Sequence, residues 1–122
     1  EMPETTRRRA RPDVPQGTLD LLILKVLSRE AMHGYGIVRT LQETTDAVLT
    51  VEEGALYPAL HRLERRACIE GSWGRSEAGR RARFYALTSE GKKQLLLETR
   101  AWERSAGAVS KVLQLREAGG GP

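Results

Sequence analysis

Residues 51 to 66 read VEEGALYPALHRLERR, and the spacing inside this stretch decides the fold. Leu56, Leu60 and Leu63 fall at i, i+4 and i+7, with Ala67 one turn beyond. That spacing puts apolar side chains on one face of a helix. Tyr57, His61, Arg62 and Arg65 fall off the stripe and form a mixed polar and cationic face. Pro58 has no backbone N–H and is tolerated only near a first turn, so the regular helix is expected to begin around Gly54 to Leu56.

Upstream, Leu19, Leu22, Ile23, Val26 and Leu27 repeat the helical spacing and predict a helix from about Gly17 to Glu30. Thr18 is its expected N-cap, with Asp20 in the first turn. Gly34 and Gly36 within AMHGYG mark a tight connection, which His33 is expected to order. A second helix follows over about Tyr35 to Thr45, with Ile37, Val38 and Leu41 turned inward. The stretch from Ala47 to Val51 reads as a small strand or an extended turn.

Downstream the period changes from 3.6 to 2. Cys68–Trp73 and Ala82–Leu87 read as two strands, joined by a polar, glycine-bearing loop over Gly74–Arg81. Arg75, Arg80, Arg81 and Arg83 stand against the single Glu77 in this hairpin, a local excess of positive charge. Trp73 is expected to pack at the hairpin's base. Thr88 then caps a long helix reaching about Leu115, with Glu90 in its first turn and Gly91 where a capping box would place Glu or Gln. Leu95, Trp102 and Val109 are spaced by seven, and Ala106, Val112 and Leu113 widen the stripe. One small domain cannot cover so much apolar surface, so this helix is expected to pack against a second copy.

The chain is therefore read as mainly α with a small β-hairpin (α+β): a winged helix-turn-helix followed by a dimerisation helix. The expected divisions are a disordered basic arm over residues 1–15, the winged domain over 16–87, the dimerisation helix over 88–116 and a disordered tail over 117–122. Met2 is the expected native start. Arg7, Arg8, Arg9 and Arg11 give the arm its charge, as a solvated tail or as a phosphate-following segment.

Composition narrows the function. Lys plus Arg number 20 against 16 Asp plus Glu, a net charge of +4 that suits a polyanionic partner. Cys68 is the single cysteine, so no intrachain disulfide forms. No apolar run approaches the roughly 20 residues of a membrane span, and residues 1–15 carry arginines without an apolar h-region, so no secretory signal is expected there. A cytoplasmic location is expected. His33, His61 and Cys68 match no zinc spacing, and no metal or other cofactor is expected. Phosphate-cradling glycines, HExxH and a nucleophile elbow are all absent, so the chain does not read as an enzyme.

Four segments together carry a resemblance: Gly17-Thr18-Leu19, His33-Gly34-Tyr35-Gly36-Ile37, Gly54-Ala55-Leu56-Tyr57-Pro58-Ala59-Leu60 and Tyr85-Ala86-Leu87-Thr88-Ser89-Glu90-Gly91. Their order and spacing resemble the PadR-like transcriptional regulators over about residues 16–97. The resemblance implies a winged helix-turn-helix homodimer that binds operator DNA, usually as a repressor, and senses small aromatic or drug-like molecules. Ala55 departs from the threonine usual in the family. The length fits members with a single C-terminal helix, some of which line an aromatic ligand pore with a tryptophan; Trp102 is the corresponding candidate.

The major groove admits a helix, and phosphates reward nearby cations. Glu53, Ala55, Tyr57, His61 and Arg62 are the candidates to reach base edges, with Arg62 either on guanine or paired to a surface carboxylate. Tyr35 has two rival readings, a hydrogen bond to phosphate and packing on the recognition helix. Arg75, Arg80, Arg81 and Arg83 are the candidate phosphate or minor-groove contacts, although strand parity can instead lay Arg83 over the domain. Leu95, Trp102, Ala106, Val109 and Leu113 are the candidate dimer contacts, with Trp102 also available to stack on an effector. The expected function is sequence-specific transcription regulation, with repression of a pseudo-palindromic operator. The alternative is a winged-helix module that binds proteins.

Overall fold

The computed structural model describes residues 16–118, so the arm over 1–15 and the last four residues lie outside it. Among the described residues the order is α1 (Gln16–Leu27), β1 (Met32–His33), α2 (Gly34–Thr44), α3 (Glu53–Arg65), β2 (Ile69–Arg75), β3 (Arg81–Leu87) and α4 (Ser89–Leu113).

The stripes predicted from spacing form the core. Leu19, Ile23, Leu24, Val26 and Leu27 of α1 meet Ile37 and Leu41 of α2 and Leu56, Ala59, Leu60 and Leu63 of α3, with Cys68, Ile69 and Tyr85 closing the cluster. Two expectations for α1 fail. The helix is already running at Gln16, so Thr18 lies inside it and is no cap. It also stops at Leu27, where the Ser28 hydroxyl donates to the Lys25 carbonyl at 2.6 Å.

The connection before α2 contains a strand too short for periodicity to show. Met32 and His33 pair antiparallel with Tyr85 and Phe84, giving a three-stranded sheet in the order β1-β3-β2. His33 then caps α2 as expected, its Nδ1 accepting from the Gly36 N–H at 3.0 Å. No strand forms over residues 47–51. Thr45 instead bonds both ways, donating to the Leu41 carbonyl at 2.8 Å and accepting from the Leu49 N–H at 3.1 Å, while Asp46 and Ala47 take positive φ.

Helix α3 begins slightly before the expected range, and Pro58 is its sixth residue. The intrahelical bond that its missing N–H would make to Gly54 is therefore lost. Ala67 does not extend the apolar stripe: it is exposed, past the helix end, at φ 62. The hairpin pairs Ile69 with Leu87 through Arg75 with Arg81, so the loop shrinks to residues 76–80 and Arg75 and Arg81 are strand ends. Trp73 is 58% exposed and covers no core, contrary to its expected packing role.

Thr88 caps α4 by accepting from the Gly91 N–H at 3.0 Å, and its hydroxyl donates to the Ala67 carbonyl at 2.6 Å. Gly91 is buried against the chain at Cys68, where a Cβ would overlap the Cys68 carbonyl oxygen. Glycine there permits the close approach that a capping-box Glu or Gln would block.

Candidate nucleic-acid interface

The site begins with what α3 leaves uncovered. Burying Leu56, Ala59, Leu60 and Leu63 turns Glu53, Ala55, Tyr57 and His61 outward, and all four are exposed. Tyr35, at the start of α2, is 68% exposed, which favours surface contact over packing on α3. Tyr57 and the Gly34 backbone lie close enough that a Cβ on Gly34 would sit 3.2 Å from the Tyr57 hydroxyl. The absent side chain at Gly34 thus joins the first turn of α2 to the first turns of α3.

An open groove runs from this junction to the hairpin. Tyr35, Tyr57, Arg75, Arg80, Arg81 and Arg83 all line it. Glu53, Ala55 and His61 are not part of the groove and lie on the exposed face of α3. Sequence reasoning missed Arg39 and Trp73, which share the groove. Arg39 is paired with Glu43 at 3.1 Å, and the Glu43 carboxylate holds its guanidinium above the ordinary value. The Arg81 guanidinium lies 4.4 Å from the Trp73 ring centroid, a cation–π stack. The available signal was strand alternation, which puts Trp73 two positions from Arg75 and so on the same face as the hairpin's arginines.

The hairpin's charge has a physical meaning. Arg75 and Arg81 are directly opposite on the two strands, a like-charge pair that destabilises a hairpin in isolation. Arg75 donates to the Gly79 carbonyl at 2.9 Å and Arg81 rests on Trp73, so both are held apart at the hairpin's end. Such an arrangement is stabilised by a neighbouring polyanion.

Two predicted contacts are engaged elsewhere. Arg62 bonds Asp20 of α1 at 2.8 and 3.4 Å; Asp20 is 8% exposed, and most of the Arg62 side chain is covered. Its partner is thus not a carboxylate of the surrounding surface but one 42 residues away, and this ion pair also replaces the helix-end role expected of Asp20. Arg83 bonds Glu64 of α3 at 2.9 Å, and that hydrogen bond keeps its guanidinium above the ordinary value. Strand parity does lay Arg83 over the domain. A third pair continues the series: Arg66, the C-cap of α3, bonds Glu98 at 3.0 Å and Gln94 at 3.1 Å on α4. Arg62, Glu64 and Arg66 thereby connect α3 to three different elements.

Along α4, Trp102, Val109, Val112 and Leu113 are exposed, as is Leu115 just past its end, while Ala106 is half-buried. Leu95, expected in the same dimer stripe, is half-buried and packs against this chain's own core. The buried Cys68 thiol is pushed up by desolvation and is a poor nucleophile. Among the described residues no cluster of His, Cys, Asp or Glu could hold a metal, and no helix is long and apolar enough to cross a membrane.

This arrangement, two helices and a sheet with an arginine-rich hairpin beside the second, is a winged helix. The family model described as "Transcriptional regulator PadR-like family" matches residues 23–97. The chain belongs to the PadR-like family. It is a DNA-binding transcription regulator and not an enzyme. A PadR-like transcriptional regulator from Bacillus cereus superposes with a TM-score of 0.70 at 30% identity, covering 82% of this chain and 95% of that one. A transcriptional regulator from Clostridium thermocellum gives 0.72 at 30% identity, covering 78% and 92%. The transcriptional regulator YqjI of Escherichia coli is 32% identical over 101 residues, 76% of this chain but only 47% of YqjI, so the match spans about half of that relative.

Proposed function

We propose that this PadR-like chain acts as a homodimeric repressor of a pseudo-palindromic operator. The first turns of α3 read bases through Glu53, Ala55, Tyr57 and His61, with the Ala55 methyl suited to a thymine methyl. Tyr35 and the hairpin arginines Arg75, Arg80 and Arg81 hold phosphates. Arg62 and Arg83, being ion-paired, are not assigned to DNA. The observation that carries the reading is the groove that places Tyr35, Tyr57 and the hairpin arginines side by side. Dimerisation uses the apolar α4 face around Trp102, Val109 and Leu113, and Ala106 lies among them. A small aromatic or drug-like effector at that interface, stacked on Trp102, releases DNA by favouring a different spacing of the two recognition helices. The working compartment is the cytoplasm.

Selection of duplexes from a random pool tests the reading: enrichment of a two-fold symmetric sequence, with affinity that falls steeply as salt rises, is the expected result. Binding that is flat with salt and without enrichment would favour the protein-interaction alternative. Val109→Asp is expected to convert dimer to monomer in sedimentation and to lower operator affinity with it. Quenching of Trp102 fluorescence by a compound that releases DNA supports the effector reading; release without any change at Trp102 counts against it.

A further inference from the structure

The sheet face that covers the core at Ile69 and Tyr85 continues beyond the core as Gly71, Arg83, Trp73 and Arg81. Tyr85 pairs with Gly71, and Arg83 with Trp73. Arg83 does not extend into solvent. Its side chain crosses Gly71, where a Cβ would stand 2.5 Å from Nε, and ends on Glu64 of α3 at 2.9 Å. The Trp73 and Tyr85 rings flank the guanidinium at 5.8 and 5.9 Å. Glu64 and Arg83 are each only partly exposed, at 26% and 36% of their side chains. Beyond Trp73 in the same row comes Arg81. One line of contacts therefore runs from the recognition helix to a hairpin arginine: Glu64, Arg83, Trp73, Arg81.

We infer that Glu64 and Arg83 are positioning residues that set the angle of the hairpin against α3, with Gly71 providing the passage. They govern sequence-specific affinity because base contacts by α3 and phosphate contacts by Arg75, Arg80 and Arg81 must be made together. A hairpin released from α3 still attracts any duplex by charge, but it no longer reaches its phosphates when α3 is in register. The inference rests on the proposed division of labour between α3 and the hairpin.

The sign of the effect makes it testable. Glu64→Gln removes a negative charge from the DNA-facing half of the molecule and leaves Arg83 facing a neutral amide, so electrostatics alone tightens binding. Positioning predicts the opposite for the specific site. The probes are a duplex that the wild-type protein enriches from a random pool and a shuffled duplex of equal length and composition. Glu64→Gln is expected to weaken the enriched duplex about tenfold, the order of one charge-assisted hydrogen bond, while the shuffled duplex binds equally or more tightly. Gly71→Ala changes no charge and displaces only the far end of the Arg83 side chain, so it should reproduce the loss with an unchanged salt slope. Circular dichroism melts accompany both variants, and if Gly71→Ala does not fold, Glu64→Gln decides alone. Enriched-duplex affinity for Glu64→Gln equal to or above wild type overturns the inference. A wild type that enriches no duplex overturns the base-reading role of α3 as well, which is a distinguishable failure.

Discussion

The two halves of α3 share one core face and differ in everything else. From Glu53 to His61 the outward side chains form no ion pair among the described residues, and Pro58 leaves the backbone one hydrogen bond short. From Arg62 to Arg66 every second residue is bound to a different element: Asp20 on α1, Arg83 on β3, Glu98 on α4. Helix geometry explains the alternation. At about 100° per residue, Arg62 and Arg66 project from the helix only some 40° apart while Glu64 points the other way. The two arginines therefore meet α1 and α4, and the glutamate meets the hairpin. Cations on a recognition helix are not automatically DNA contacts. Here the charged half ties the helix to its neighbours, and the half with little net charge keeps its outward side chains free of ion pairs among the described residues.

The comparison can be broken at several points. Leu60→Ala removes a fully buried side chain shared by both halves and is expected to cost about 2–5 kcal/mol in denaturant unfolding. Asp20→Ala leaves the mostly covered Arg62 without its carboxylate; a loss of about 2 kcal/mol is expected, with the sequence preference of the folded fraction unchanged. If Asp20→Ala shifted base preference at constant stability, Arg62 would belong with the reading half after all. His61→Ala should do the reverse: stability within about 0.5 kcal/mol of wild type, with about 1 kcal/mol less discrimination at one base pair in competition binding. Arg80→Ala should weaken all duplexes alike and reduce the salt slope by about one, a loss that shrinks as salt rises and is the smallest of the four at high salt.

Much of this is legible in the sequence itself. Leucine spacing located α1, α2 and α3 because burial on one helical face is a local rule, and Thr88 announced α4 because capping is local too. What escaped depends on partners distant in the chain. Two residues of β1 carry no period, and only their pairing with β3 makes them a strand. Asp20 reads as a helix-end charge until α3 brings Arg62 to it. Leu95 and Val109 belong to the same heptad series, yet the end of the core divides them, covering the first and exposing the second. Trp73 looked like a packing residue because tryptophan usually is one; its cross-strand place beside Arg81 and Arg83 decided otherwise.

The glycine contact at the root of α4 has a mechanical consequence. Gly91 rests on the Cys68 carbonyl, Thr88 holds Ala67 and Arg66 reaches Glu98, so α4 is joined to the end of α3 without slack. Over its 25 residues α4 is a lever roughly 37 Å long, and a one-degree pivot at its root displaces its tip by roughly 0.6 Å. Run in reverse, a turn at the far end of α4 bears through these same contacts on the C-terminal end of α3.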